Sequence, residues 1–298
     1  MKSTFNMMGI ADYITLFNGL LGVSSILFLI LAVNDFSDPY QTGINSHYVW
    51  AAILCILLSA IGDTIDGPIA RKYSKVRLLG GNLDIMSDSI SFTVAPSLLI
   101  FVMYGRMGSA TPFWTLLLAI SCCWIVATGM MRLARFAYED GGDIDYFLGA
   151  STPVNALLLI SMGSLIWLQP SSGFGPSLSV WDCTNFCFGR GEPHPYFDFL
   201  IVPLLWISGS LMISERKMSK LKRGPGKYLA LLGILSILFS SFLQFRHTLG
   251  GVGDYEETAS LGTFLMLGLT FSLIVAYLLM GPTITKNPPK NVENIESE

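Results

Sequence analysis

The sequence predicts an all-α, polytopic integral membrane protein with about eight transmembrane helices. The chain of 298 residues is 52% hydrophobic and only 13% charged, and its mean hydropathy of +0.56 lies outside the usual range for soluble domains. Apolar stretches of about 20 residues, each long enough to cross a bilayer, recur along the chain. The formal net charge of -3 gives no indication of nucleic-acid binding.

The elements fall into four regions. Residues 1–12 are expected to form a short interfacial helix, because apolar side chains alternate there with polar ones. Residues 13–223 form a predicted six-helix core, and residues 224–281 two further C-terminal spans. The polar tail 282–298 is expected to be disordered. The predicted spans, in chain order, are 13–33, 48–73, 82–104, 112–138, 150–168, 197–214, 227–245 and 261–280.

The distribution of basic residues predicts the orientation. With eight spans, every Lys and Arg except Arg106, Arg190 and Arg246 falls on one side of the membrane. By the positive-inside rule that side is cytoplasmic, so we expect both termini in the cytoplasm of a cell-membrane protein. Cys183 and Cys187 share an outer loop, where a disulfide is possible and the sequence leaves the question open.

The region 62–89 carries the strongest sign of chemistry. Asp63 and Asp66, at i and i+3, share one face of the second span, and Asp84 and Asp88, at i and i+4, share a face of the third. Carboxylates in apolar spans are costly and usually mark function. Oxygen-only ligands favour one or two Mg²⁺ or Mn²⁺ ions. A structural network with Arg71, or acids that are simply solvated, are the alternatives.

The spacing in this region resembles the signature of the CDP-alcohol phosphotransferase family, D-x2-D-G-x2-A-R-x8-G-x3-D-x3-D. No position departs from that pattern. The resemblance implies an integral membrane enzyme that transfers a phosphoalcohol group from a CDP-alcohol to an acceptor hydroxyl and releases CMP. The matching positions are Asp63, Asp66, Gly67, Ala70, Arg71, Gly80, Asp84 and Asp88.

The resemblance also implies roles for these residues. The four aspartates would hold the divalent ions, and Asp88 would also be the general base. Arg71 would stabilise phosphate or orient an aspartate. Asn18, a buried amide that needs partners, is a candidate to face the nucleotide or headgroup cavity. The predicted CDP-binding set is Asp63, Gly67, Ala70, Arg71, Gly80 and Asn18.

Three further stretches resemble the phosphatidylserine synthase branch of the family. They are residues 16–22, with Asn18 and Gly22; residues 132–136, although Ala137 stands where Asn is usual; and residues 149–153, where Ala150 replaces a proline. The similarity covers roughly residues 10–225. It implies that CDP-diacylglycerol or CDP-archaeol is the donor and L-serine the acceptor. Arg132 and Arg135 are the candidates for binding the serine carboxylate.

Two alternatives stay open at this point. The same chemistry could use glycerol 3-phosphate, inositol phosphate or inositol, since basic residues near the motif could hold an acceptor phosphate. A cation-coupled membrane transporter is the alternative from another class, although the acids gather at one face and no inverted repeat is visible. Membrane lipids are expected partners, and a homodimer is expected from the family resemblance alone.

Overall fold

The computed structural model describes residues 8–33, 44–73, 77–105, 112–139, 146–167, 199–219, 225–250 and 256–286. Two short strands, β1 (Tyr146–Leu148) and β2 (Lys217–Ser219), accompany the helices. The helices, in chain order, are α1 (Ile10–Val33), α2 (Ser46–Tyr73), α3 (Arg77–Asp88), a π-helical segment (Ser89–Val94), α4 (Ala95–Tyr104), α5 (Pro112–Glu139), α6 (Thr152–Trp167), α7 (Ile201–Ile213), α8 (Pro225–Gly250) and α9 (Glu256–Lys286).

The helices confirm the predicted all-α polytopic membrane fold. Stretches long and apolar enough to cross a bilayer coincide with the predicted first, second, third, fourth and eighth spans. Three shorter apolar helices coincide with the predicted fifth, sixth and seventh spans, and the total of eight spans stays a prediction. The five long stretches are Ile10–Val33, Ser46–Ile65, Leu79–Tyr104, Pro112–Ala137 and Gly262–Met280.

Helix α1 has the polarity expected of a helix at the edge of a membrane protein. Phe17 and Leu27 are exposed by 60% and 56%, whereas Asp12, Thr15 and Asn18 are buried. A helix on the surface of a soluble protein shows the opposite arrangement. The apolar side of α1 therefore suits contact with lipid tails, and its polar side packs against the other helices.

The third span, Arg77–Tyr104, consists of α3, the π-helical segment and α4, and contacts α1, α2, α5 and α6. The Ala95 N–H donates to the carbonyl of Ile90, five residues earlier, which is the π-helical pattern. Pro96 follows directly and has no N–H to donate to the regular partner, Phe92. The proline thus explains why the helix widens here, immediately after Asp88.

Strands β1 and β2 form an antiparallel ribbon, a local departure from the all-helical prediction. Gly149, just after β1, has φ +73 and donates its N–H to the carbonyl of Arg216 at 2.8 Å. Ala150 N–H donates to the carbonyl of Leu211 at 3.0 Å. These bonds attach the start of α6 to the end of α7. Such short strands depend on this tertiary pairing, and three residues carry no recognisable period.

The helix ends extend beyond the apolar stretches that predicted them. Helix α1 begins at Ile10 and so includes the last residues of the predicted interfacial helix, most of which lies outside the described residues. Helix α8 continues through Arg246, which was expected in a loop, and α9 reaches Lys286, inside the predicted disordered tail. Hydropathy marks the part of a helix that crosses lipid, and polar turns at either end can stay helical. The loop with Cys183 and Cys187 lies outside the described residues.

Candidate metal centre and its surroundings

Three of the four predicted aspartates come together between α2 and α3. Asp63 lies in the C-terminal half of α2, and Asp84 and Asp88 lie one turn apart on α3. One carboxylate oxygen from each residue lies within 4.8 Å of the other two, and all three side chains are half-buried. Two helices therefore present a compact group of carboxylates to one point.

The rest of the signature lies on the same two helices. Asp66, Gly67, Ala70 and Arg71 belong to α2, and the side chains of residues 66–78 lie outside the described part. Gly80 lies one turn before Asp84 and is half-buried. Because Asp66 follows Asp63 at i+3 on the same helix, its Cα lies on the same side of α2. Its place among the metal ligands stays a prediction.

Asn18 lies next to this group, at the junction of α1, α2 and the π-helical segment. It is buried, and its backbone carbonyl accepts the Ser59 hydroxyl at 3.1 Å and the Ser91 hydroxyl at 3.0 Å. Its side-chain amide packs on Gly62, where an added Cβ would lie 2.7 Å from Asn18 Cγ. Asn18 thus contacts the residue that precedes Asp63. Its predicted contact with the nucleotide stays a prediction.

Three serines join the helices around the aspartates and were missed by the sequence analysis. Ser59 and Ser91 bond to Asn18, and Ser87 donates to the carbonyl of Thr15 at 2.9 Å. Ser87 and Ser91 flank Asp88 on the third span. Their spacing at i and i+4, beside two aspartates, was the available signal, because hydroxyls in spans often bond to neighbouring helices.

Helix α1 can approach the third span because its contact side carries glycines. An added Cβ at Gly19 would lie 3.2 Å from Ser87 Oγ, and one at Gly22 would lie 2.9 Å from Ser91 Cα. Small residues at such positions let two backbones pack closely. Gly19 and Gly22 therefore serve the close packing of α1 on the third span.

Arg132 and Arg135 lie near the end of α5, on the side of the membrane predicted for the aspartates. Arg132 is buried, with 8% exposure, and Arg135 is half-buried. Three residues before Arg132, Gly129 packs so closely on Thr93 that an added Cβ would lie 3.0 Å from Thr93 Oγ1. The third and fourth spans are consecutive, so we expect them to run in opposite directions, and the turn after Gly129 then lies level with the turn before Thr93. Arg132 is thus expected level with the turn that follows Asp88.

The chemistry of the cluster fits a hard divalent cation. Three half-buried carboxylates this close repel one another, and a bound cation would remove that repulsion. The donor atoms are all oxygens, which suits hard cations such as Mg²⁺ or Mn²⁺. Asp63, Asp84 and Asp88 are the described residues that could hold such an ion.

Comparison with known proteins agrees with this geometry. The family model described as CDP-alcohol phosphatidyltransferase matches residues 8–187, more than half of the chain. The chain belongs to the CDP-alcohol phosphatidyltransferase family. The matched region includes α1 to α6, and thus every described residue of the acidic cluster and both arginines. The family resemblance seen in the sequence is confirmed.

Several relatives within this family carry specific names. A CDP-diacylglycerol--serine O-phosphatidyltransferase from Saccharomyces cerevisiae is 33% identical over 160 residues, which are 51% of this chain and 52% of that protein. One of the same name from Methanocaldococcus jannaschii is 33% identical over 157 residues, 53% of this chain and 61% of that protein. An archaetidylserine synthase from Methanothermobacter thermautotrophicus is 35% identical over 113 residues, 37% of this chain and 45% of that protein. The matches thus span about half of each relative.

Proposed function

We propose that the chain transfers a phosphatidyl or archaetidyl group from a CDP-activated lipid to the hydroxyl of L-serine, with release of CMP. The convergence of Asp63, Asp84 and Asp88 at the family signature carries this proposal. The names of the relatives support serine as the acceptor. Those names include both diacylglycerol and archaetidyl lipids, so the proposal covers ester and ether donors.

The reaction exchanges one phosphorus–oxygen bond for another. The serine hydroxyl oxygen forms a bond to the phosphorus that carries the lipid, and the bond from that phosphorus to the CMP phosphate breaks. Asp88 is proposed as the general base that receives the hydroxyl proton, which then passes to solvent. The transferred phosphate carries one negative charge before and after the reaction, and CMP leaves with the electron pair of the broken bond.

A divalent ion, Mg²⁺ or Mn²⁺, would supply charge neutralisation for the pyrophosphate when bound. Asp63, Asp66 and Asp84 are proposed to hold one or two such ions, with Asp88 sharing the contact. The small residues Gly67, Ala70 and Gly80 would admit the cytidine and pyrophosphate close to the backbone. Arg71 would stabilise phosphate or orient an aspartate, and Asn18 would face the nucleotide or headgroup cavity.

Arg132 and Arg135 are proposed to bind the serine carboxylate. The depth of Arg132, level with the turn that follows Asp88, supports this role, because serine must present its hydroxyl to the base while its carboxylate is held. Arginine matches a carboxylate with two parallel hydrogen bonds. A phosphorylated acceptor would use the same cations, which is why the acceptor must be tested directly.

The cellular setting is part of the proposal. The basic residues of the signature side favour a cytoplasmic active site in the cell membrane, with both termini inside. Soluble serine and CMP are then on the side where they are made and used. A homodimer stays a prediction from the family, and its mass in detergent micelles can be measured by light scattering.

The decisive experiment is CMP release by the purified protein in nanodiscs. CDP-diacylglycerol and CDP-archaeol are supplied as donors, with serine, glycerol 3-phosphate, inositol or inositol phosphate as acceptors. We expect release with serine and Mg²⁺ or Mn²⁺, formation of the serine lipid in equal amount, and loss of both after EDTA. The Asp84→Asn variant controls for contaminating activity.

Other outcomes would redirect the proposal. Release with a phosphorylated acceptor or inositol, and none with serine, would discard serine while keeping the family chemistry. No release with any acceptor would favour the cation-coupled transporter instead. Uptake of Mn²⁺ into proteoliposomes would then test that alternative. Family membership and the position of the acids favour the transferase over that transporter.

A further inference from the structure

Helix α1 carries a buried acid that the family signature does not include. Asp12 is 2% exposed and lies on the same side of α1 as Thr15, Gly19 and Gly22, at spacings of three, four and three residues. These three residues make the contacts with the third span described above. The side of α1 that carries Asp12 is therefore the side that packs on the helix of Asp84 and Asp88.

The hydrogen bonds between these helices set their register. Thr15 carbonyl accepts from Ser87, and Asn18 carbonyl accepts from Ser91, so later residues of α1 meet later residues of the third span. The two helices consequently run in the same direction. Asp12 precedes Thr15 by three residues, and Asp84 precedes Ser87 by three residues. Asp12 and Asp84 are thus at the same level on neighbouring helices.

Local structure explains only part of this residue. Gly9 N–H donates to Asp12 Oδ2 at 2.6 Å, in the manner of an acid in the first turn that caps its own helix. No ion pair joins Asp12 to a described Lys or Arg side chain, although its carboxylate is buried. A capping bond needs an oxygen acceptor and would be served by an amide as well. It does not require a negative charge at this depth.

We propose that Asp12 is a positioning residue that acts through the metal centre: the negative charge of its carboxylate strengthens the binding of a cation by Asp63, Asp84 and Asp88. The inference rests on the proposed function, because it takes the acidic cluster to be a divalent-metal site. Asp12 need not touch the ion: a buried charge acts over the width of a helix contact when little water lies between. Because Asp12 lies level with Asp84 on the side of α1 that packs on the third span, its charge lies near the proposed metal site.

The Asp12→Asn variant separates the charge from the cap. Asparagine keeps the size and the oxygen that accepts the Gly9 N–H, and removes only the charge. Mn²⁺ binding to the full-length protein in nanodiscs is measured by electron paramagnetic resonance, without substrate, together with the thermal unfolding midpoint in EDTA. We expect the Kd for Mn²⁺ to rise about tenfold and the midpoint without metal to stay unchanged. Glu215→Gln, which removes an exposed acid, is the control and should leave both values unchanged.

The outcomes distinguish the inference from the proposal on which it rests. If wild-type protein binds Mn²⁺ and Asp12→Asn binds it equally well, the inference is wrong and Asp12 only caps α1. If wild-type protein binds no Mn²⁺ and Asp84→Asn changes nothing, the metal centre itself is wrong. A second variant, Asp12→Ala, should weaken Mn²⁺ binding as Asp12→Asn does and should also lower the unfolding midpoint, because it loses the cap.

Discussion

The amide of Asn18 packs directly on the backbone of Gly62, the residue before Asp63. Through this contact α1 sets how closely α2 approaches the third span, since the Asn18 carbonyl also accepts hydroxyls from Ser59 on α2 and Ser91 on the third span. One residue of α1 therefore bonds to both helices that carry the aspartates. The junction therefore holds together the two helices on which the carboxylates lie.

A methyl group at Gly62 tests that dependence. In Gly62→Ala the new Cβ would lie 2.7 Å from Asn18 Cγ, so α1 and α2 must separate or the amide must turn. We expect a loss of about 1–3 kcal/mol in stability, as for other overpacked sites, and a clear fall in CMP release. Gly268→Ala is the matched control, because nothing lies within 4 Å of its added Cβ. Equal stability and turnover in both variants would show that the junction tolerates movement.

Asp88→Asn tests the proposed base. The variant keeps the size of the side chain but cannot accept the hydroxyl proton, so kcat should fall by about 10²–10⁴-fold, the usual contribution of a general base. Binding of CDP-lipid, measured as the rise in the thermal unfolding midpoint when the lipid is added, should be largely retained. Turnover at the wild-type rate would remove the base assignment. Asp63→Asn provides the contrast, because Asp63 is proposed as a metal ligand and not as the base: its loss should weaken Mn²⁺ binding more than the loss of Asp88, which is proposed to act mainly as the base.

Arg135→Ala tests the proposed acceptor site. Arg135 is half-buried, so its removal should disturb packing less than removal of the buried Arg132. Loss of a charge-assisted hydrogen bond should raise the KM for serine by about tenfold, with a smaller change for the CDP-lipid. The comparison requires initial rates over both concentrations, with Arg216→Ala, an exposed cation, as the control. An unchanged serine dependence would contradict the role.

The spacing of the signature predicted the centre of the site well because it follows helix geometry. Asp84 and Asp88 at i and i+4 must share a side of one helix, and an acid near the end of the preceding span must lie at the same membrane face. The cluster with Asp63 confirms that expectation. The prediction did not reach Ser59, Ser87 or Asp12, because a polar residue on a helix does not reveal which neighbour it will meet.

The parts of the fold that were not predicted depend on long-range contacts. The β1–β2 ribbon joins residues 146–148 to residues 217–219, and neither segment has a strand pattern of its own. The π-helical segment leaves no trace in hydropathy, although Pro96 within a predicted span was a warning that a regular helix could not continue unchanged. The π-helical segment directly follows Asp88, and local rules are often overridden next to functional sites.

Pro96→Ala tests whether the π-helical segment orients the aspartates. Alanine restores an N–H that can bond to the carbonyl of Phe92, which favours a regular α-helix through residues 89–94. Tyr104 anchors α4 by donating to the carbonyl of Gly163 at 2.6 Å, so the change should rotate α3 rather than α4.

Conversion of the π-helical segment to a regular α-helix would rotate α3 by about 100° and carry Asp84 and Asp88 away from Asp63. We expect turnover to fall by about 10²-fold and Mn²⁺ binding to weaken. One backbone bond is gained, but the Ser87 bond to the Thr15 carbonyl is lost, so the thermal unfolding midpoint should change little. Pro203→Ala is the control, since Pro203 lies in the first turn of α7, where no backbone bond is missing. Full turnover in Pro96→Ala would mean that the centre assembles without the widened turn.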